Sequence, residues 1–179
     1  MIKTWYGLRM TIYFLTEMRT EFVEPLPIKI GFSMDVRRRT SALQTGNPNR
    51  LALMGIIKSR SQEDDRAIER SLHQQFEAQR MLNEWFSLYP AVVIDVLKSH
   101  SANGFVTVGQ DAFEVVSYDR HGVPEFASPW AWGDVEAQGF CPSCGWAGGW
   151  SFNENYGCER CLKCGASGND YDVCAFDAH

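Results

Sequence analysis

Ile12-Tyr13-Phe14-Leu15, Ile28-Lys29-Ile30-Gly31-Phe32-Ser33 and Leu51-Ala52-Leu53-Met54-Gly55-Ile56-Ile57 are three short apolar runs within the first third of the chain. Their β-branched and aromatic content and their length predict strands over residues 11–16, 28–32 and 51–57. Residues 17–27 read as a polar loop with two prolines, so the first two strands are expected to form an antiparallel hairpin with a long connection.

Helices are expected between and after these strands. Ser33 or Asp35 can cap a helix that ends near Leu43 or Gln44. Thr45-Gly46-Asn47-Pro48 stops it, with Gly46 taking the terminal conformation and Pro48 unable to continue. Ser61 followed by Glu63, Asp64 and Asp65 marks a second helix start, because carboxylates complement the exposed N–H groups of a first turn. Ile68, Leu72 and Phe76 recur every four residues, and this helix is expected to reach about Gln79. Pro90 suits a first helical position, and residues 91–97 would form a short closing helix. The order β-β-α-β-α-α predicts an α+β fold, a small three-stranded antiparallel sheet flanked by helices.

Composition narrows the class. At 179 residues, 45% hydrophobic and 22% charged, the chain reads as one or two small soluble domains. No apolar run approaches the roughly 18 residues of a membrane span, and no signal peptide is evident, so a cytoplasmic protein without membrane contact is expected. Net charge is −5, but it is unevenly spread. Residues 1–98 hold 14 Lys+Arg against 11 Asp+Glu, whereas residues 99–179 hold 3 against 11. A negative polymer such as DNA should therefore prefer the first half, which carries Arg37-Arg38-Arg39.

All six cysteines follow residue 140. Cys141-Pro142-Ser143-Cys144-Gly145 and Cys161-Leu162-Lys163-Cys164-Gly165 are paired knuckles separated by sixteen residues. Two-residue spacing lets both sulfurs of a turn face one ion, and the glycine permits a tight turn whose N–H groups donate to the thiolates. The pattern predicts a β-rich C-terminal zinc ribbon holding structural Zn2+ on Cys141, Cys144, Cys161 and Cys164. Cys158-x-x-Cys161 has the same spacing, so Cys158 is an alternative to Cys164. The repeated Cys-Gly pairing favours Cys161 with Cys164 and leaves Cys158 and Cys174 as spare thiols. Three units are expected: 1–100, a β-rich connecting element over 101–138, and the ribbon over 139–179. The connector shows strand-like segments at 105–108 and 113–118, a turn at 119–122 and an aromatic segment at 129–134.

Residues 12–86 resemble the GIY-YIG endonuclease superfamily, in its phage and bacterial branch. The resemblance rests on Ile12-Tyr13-Phe14, Lys29-Ile30-Gly31, Arg39 eight residues later, the loop Gln44-Thr45-Gly46-Asn47-Pro48, Glu69 and the Leu72-His73 pair on a helix, and Glu84-Trp85-Phe86. It implies a metal-dependent endonuclease hydrolysing DNA phosphodiester bonds. Arg39 would then grip the scissile phosphate and Glu69 would hold Mg2+ or Mn2+, with Tyr13 orienting or deprotonating the attacking water. Lys29 stands where the wider family has a second tyrosine, as either a base or a phosphate grip. His73, one turn after Glu69, is a proton carrier or phosphate contact, and Glu84 or Asn83 completes the site.

Each residue also has a structural reading. Tyr13, Trp85 and Phe86 are ordinary packing residues when taken singly. Lys29, Arg39 and Glu69 are ordinary solvated charges, and His73 an ordinary half-buried histidine. The ordered set is far more specific than any member. The alternative is a catalytically inactive nucleic-acid-binding module, or a protein-interaction module that docks a partner through its ribbon.

Overall fold

The computed structural model describes residues 10–18, 25–58, 61–108, 115–118, 124–126 and 139–168. Strands β1 (Thr11–Met18) and β2 (Leu26–Ser33) form the expected antiparallel hairpin, with Tyr13 opposite Gly31 and Leu15 opposite Lys29. Strand β3 (Arg50–Lys58) pairs with the other edge of β1. Helix α1 (Val36–Gln44) joins β2 to β3, capped by the Asp35 side chain, which accepts from the Arg38 backbone N–H at 2.9 Å. Helix α2 (Gln62–Gln75) begins at Ser61, whose hydroxyl accepts from the Asp64 N–H. It gives way to a 3-10 turn at Glu77–Gln79.

The expected three-stranded sheet is corrected to six strands. Strands β4 (Arg80–Leu82), β5 (Trp85–Leu88) and β6 (Gly104–Val106) complete an all-antiparallel sheet of order β4-β5-β2-β1-β3-β6. Strands β4 and β5 have three or four residues, too few for a period-two pattern to register, while β6 overlaps the strand-like segment at 105–108 expected in the connector. Helix α3 (Pro90–Ser99) connects β5 to β6 and buries Val93, Ile94, Val96 and Leu97. Its apolar face joins Ile12 and Phe14 of β1, Ile28 and Ile30 of β2, Leu72 and Phe76 of α2, and Phe86 in one core.

Gly46 does not stop α1 as expected, since its φ is not positive. The helix closes through backbone bonds, Gly46 N–H to Leu43 O at 3.3 Å and Asn47 N–H to Gln44 O at 3.1 Å, and the Gln44 side chain pins the loop that follows. Its amide donates to the carbonyls of Asn47 (3.1 Å) and Asn49 (2.9 Å), and its oxygen accepts from the Leu51 N–H (2.8 Å). Asn47 and Asn49 then both donate to the Glu17 carboxylate. The Gln-Thr-Gly-Asn-Pro loop is thus a brace between α1, β1 and β3.

Beyond β6, strands β7 (Val115–Tyr118) and β8 (Pro124–Phe126) form a separate two-stranded pair. Strands β9 (Trp150–Asn153) and β10 (Cys158–Cys161) form the ribbon hairpin. The aromatic segment 129–134 and Cys174 lie outside the described residues. Among the described residues, no helix is long and apolar enough to cross a membrane.

The first cysteine knuckle is joined directly to the large sheet. Val106 N–H donates to Gly145 O at 2.8 Å, Ala147 N–H to Gly104 O at 3.0 Å, and Phe105 bridges Trp146. Phe140 enters the same core as the helices. Gly145 has φ of +75°, and a Cβ there would overlap the Val106 carbonyl oxygen. Only glycine permits both the turn and this approach.

Candidate functional site

Alternation along the paired strands puts Tyr13, Leu15, Lys29 and Gly31 on one face of the sheet. Helix α1 lies against this sheet with none of its own residues buried, and the exposed Arg39 guanidinium stands near enough to the Tyr13 side chain to act on it electrostatically. A guanidinium only donates, so Arg39 can meet the Tyr13 oxygen and leave the phenol hydrogen for another acceptor. Burial pushes the Tyr13 phenol above its ordinary range, although Arg39 pulls the other way. Tyr13 therefore keeps its proton at neutral pH, which favours orienting water or phosphate over deprotonating it.

The Lys29-Ile30-Gly31 motif has a structural account residue by residue. Lys29 is 5% exposed and forms an ion pair with Glu84, with its ammonium 5.9 Å from the Trp85 ring centroid. Ile30 uses both halves of its backbone: its N–H donates to Glu84 O at 3.0 Å and its carbonyl contacts His73 Nε2 at 2.9 Å. Because that carbonyl only accepts, Nε2 carries the hydrogen, and Nδ1 is the bare nitrogen of the neutral ring. Gly31 leaves room for the Tyr13 ring. A Cβ there would lie 2.6 Å from the hydroxyl oxygen and 2.8 Å from Cζ.

Glu69 projects from α2 and is 8% exposed. Burial raises its pKa above the ordinary carboxylate range. His73, Lys29 and Arg70 act to lower it, while Glu84 adds to the rise. Among the described residues, no hydrogen bond or ion pair reaches this carboxylate. A largely buried carboxylate without a direct partner is a donor that a divalent cation with water in its remaining positions could use.

The structure thus brings all six predicted residues into one electrostatic neighbourhood. Tyr13 feels Arg39, Glu84 and Glu69, and Glu69 feels His73, Glu84 and Lys29. Arg37 and Arg38 stay on the exposed surface of α1, with no ion pair among the described residues. Two further side chains were not singled out by sequence reasoning. Arg70 acts on Glu69, and Arg80 holds the turn that carries Glu84. Helical spacing one residue from Glu69 points to the first, and nothing in the local spacing points to the second.

The second site is the cysteine cluster. The sulfurs of Cys141, Cys144, Cys161 and Cys164 all lie within 4.8 Å of one another. Cys141 and Cys164 are 3.7 Å apart, and Cys144 and Cys161 are 3.9 Å apart. Four sulfurs placed about 2.3 Å from one Zn2+ would be separated by about 3.8 Å along each tetrahedral edge, so the donors fit a structural zinc. The knuckles repeat each other. Gly145 N–H bonds Cys141 O and Gly165 N–H bonds Cys161 O, at 2.7 and 2.8 Å, with both glycines at positive φ. Cys158 stays outside the cluster, with its sulfur 3.3 Å from the Ser167 hydroxyl.

The T5orf172 domain family matches residues 10–101 of the chain, from the start of β1 through α3. No curated protein and no solved structure matches the chain.

Proposed function

The chain belongs to the T5orf172 domain family, and we propose from that premise that it is a metal-dependent DNA endonuclease of GIY-YIG type, cutting one strand per site. The family is a phage-type domain related to the nuclease fold, which supports the reading. The observation that carries it is the meeting of the Tyr13–Arg39 pair with the buried Glu69 carboxylate beside Lys29, His73 and Glu84.

In this reading Arg39 donates to the scissile phosphate beside Tyr13, and Tyr13 offers its hydrogen to the same phosphate or to the attacking water. Glu69 holds a divalent cation, which when bound supplies charge stabilisation at the phosphate and leaving oxygen. Lys29 is held beside the site by its ion pair with Glu84, which fits a phosphate contact rather than a base. His73 presents Nδ1 for proton carriage. Arg37 and Arg38 add phosphate contacts along the exposed side of α1.

Supercoiled plasmid incubated with Mg2+ or Mn2+ tests this directly. Wild-type protein should nick it, and Glu69→Ala and Arg39→Ala should each lose about 10²–10³-fold in rate. Binding without nicking by all three proteins would instead favour a binding module. One observation supports a partner-docking role as the second reading: Phe152, Tyr156 and Leu162 are 59%, 66% and 67% exposed on the ribbon. In that case neither binding nor nicking appears.

A further inference from the structure

Glu84 and His73 reach the site from different elements. Glu84 sits in the two-residue turn between β4 and β5, and His73 sits in the last turn of α2. Asn83 in that turn adopts φ of +53°, a left-handed conformation that asparagine takes more readily than other non-glycine residues. A two-residue turn of this kind can still shift as a unit, and contacts from outside it decide where Glu84 sits.

One side chain supplies the hold. The Arg80 guanidinium donates to the Asn83 carbonyl in the turn, and at 3.4 Å to the His73 carbonyl at the helix end. Its Nε donates to the Glu77 carboxylate at 2.9 Å, and its Cζ stands 4.7 Å from the Phe86 ring centroid. Phe86 is fully buried and its ring centroid lies 5.1 Å from that of His73. The planar fork of an arginine can make these bonds together, whereas a lysine ammonium has no comparable fixed geometry.

We propose that Arg80 is a positioning residue. It fixes the Glu84 turn against the end of the His73 helix, so that both side chains meet the site at a set separation. This rests on the nuclease reading for its catalytic consequence but not for its structural one. The turn is pinned from two sides, by Ile30 N–H on the Glu84 carbonyl and by Arg80 on the Asn83 carbonyl. Loss of the second leaves Lys29 with a partner on a loosened turn.

The test uses the full chain with Arg80→Ala and Arg80→Lys. Amide exchange at Ile30 reports the turn, because its N–H is bonded to Glu84 O, while the Phe14 amide serves as the control for global opening. The expected result is at least tenfold faster exchange at Ile30 in Arg80→Ala with Phe14 unchanged. DNA cleavage should lose 10–100-fold in kcat with KM within about threefold. Arg80→Lys should fall between the two and decides the question if Arg80→Ala does not fold. Unchanged Ile30 exchange overturns the proposal whatever the cleavage rates. So does faster exchange with wild-type kcat in an enzyme that cuts. If the wild-type protein does not cut DNA, the nuclease reading fails separately, and the exchange result alone decides the positioning role.

Discussion

Gly31→Ala adds a single carbon at a place where the structure leaves no space for it. The new Cβ would sit 2.6 Å from the Tyr13 hydroxyl oxygen, 2.8 Å from Cζ and 3.3 Å from Cε2. Packed carbon atoms stand about 3.5 Å apart, so the ring must retreat by roughly 0.7 Å. Tyr13 is only 1% exposed and cannot swing into solvent. Overpacking of this kind costs about 1–3 kcal/mol, and the stiffer alanine backbone returns about 0.4–1 kcal/mol through the unfolded chain. The net loss should be about 1–2 kcal/mol, or about 2–8 °C in Tm for a chain of this size. The same shift carries the hydroxyl away from Arg39, and a displacement near 1 Å at a reacting site can cost about 10²-fold in rate. Thermal denaturation and plasmid nicking measure the two effects on one preparation. Tyr13→Phe removes the nearest clashing atom, so the stability cost of Gly31→Ala should shrink in that background. Gly31→Ala with wild-type Tm and nicking within about twofold would refute the idea that this glycine exists to seat the tyrosine.

Three other outcomes are expected. Glu69→Gln should raise the Tm of metal-free protein at pH 7.5, because the folded carboxylate has a raised pKa and its ionisation opposes folding. The gain should fade as pH falls below the unfolded value of about 4.3, where both states are protonated, and a lower Tm for the variant at pH 7.5 would contradict the burial argument. Glu84→Ala leaves the buried Lys29 side chain without its partner and should cost about 1–3 kcal/mol in urea denaturation, discounted because Glu84 is 39% exposed; a change below about 0.3 kcal/mol would show that the pair contributes little. Chelating zinc, or Cys144→Ser, should speed amide exchange at Val106 and Ala147, since both amides bind across the junction between β6 and the first knuckle. Unchanged exchange there, with the metal shown to be gone, would mean that the knuckle holds its shape without zinc.

What could be read from the sequence divides along physical lines. The six long elements β1, β2, β3, α1, α2 and α3 show in the order of residues, because each spans enough chain for a period or a cap to stand out. The zinc ligands show because two-residue knuckles are local chemistry. Strands β4 and β5 do not, being short, and the Asn83-Glu84 turn lacks the usual glycine; β6 falls in the strand-like segment at 105–108, but its place in the large sheet did not show. Gly46 suggested a left-handed helix stop, whereas the helix closes through backbone bonds and the Gln44 side chain braces the loop beyond it. The candidate site residues could be named but not joined. Lys29 and Glu84 are 55 positions apart, and the bonds from the Ile30 peptide groups to Glu84 and His73 belong to backbone atoms that carry no residue signature. The knuckle-to-sheet junction at Gly145 was hidden for the same reason.

The role proposed for Glu69 of α2 is to hold the divalent cation of a cutting site. Single-turnover cleavage of end-labelled duplex DNA in Mg2+, wild type beside Glu69→Gln, addresses it with one atom changed and the fold kept. The glutamine variant should still bind the duplex but cut at least about 10²-fold more slowly. Cutting by Glu69→Gln within about threefold of wild type would contradict it.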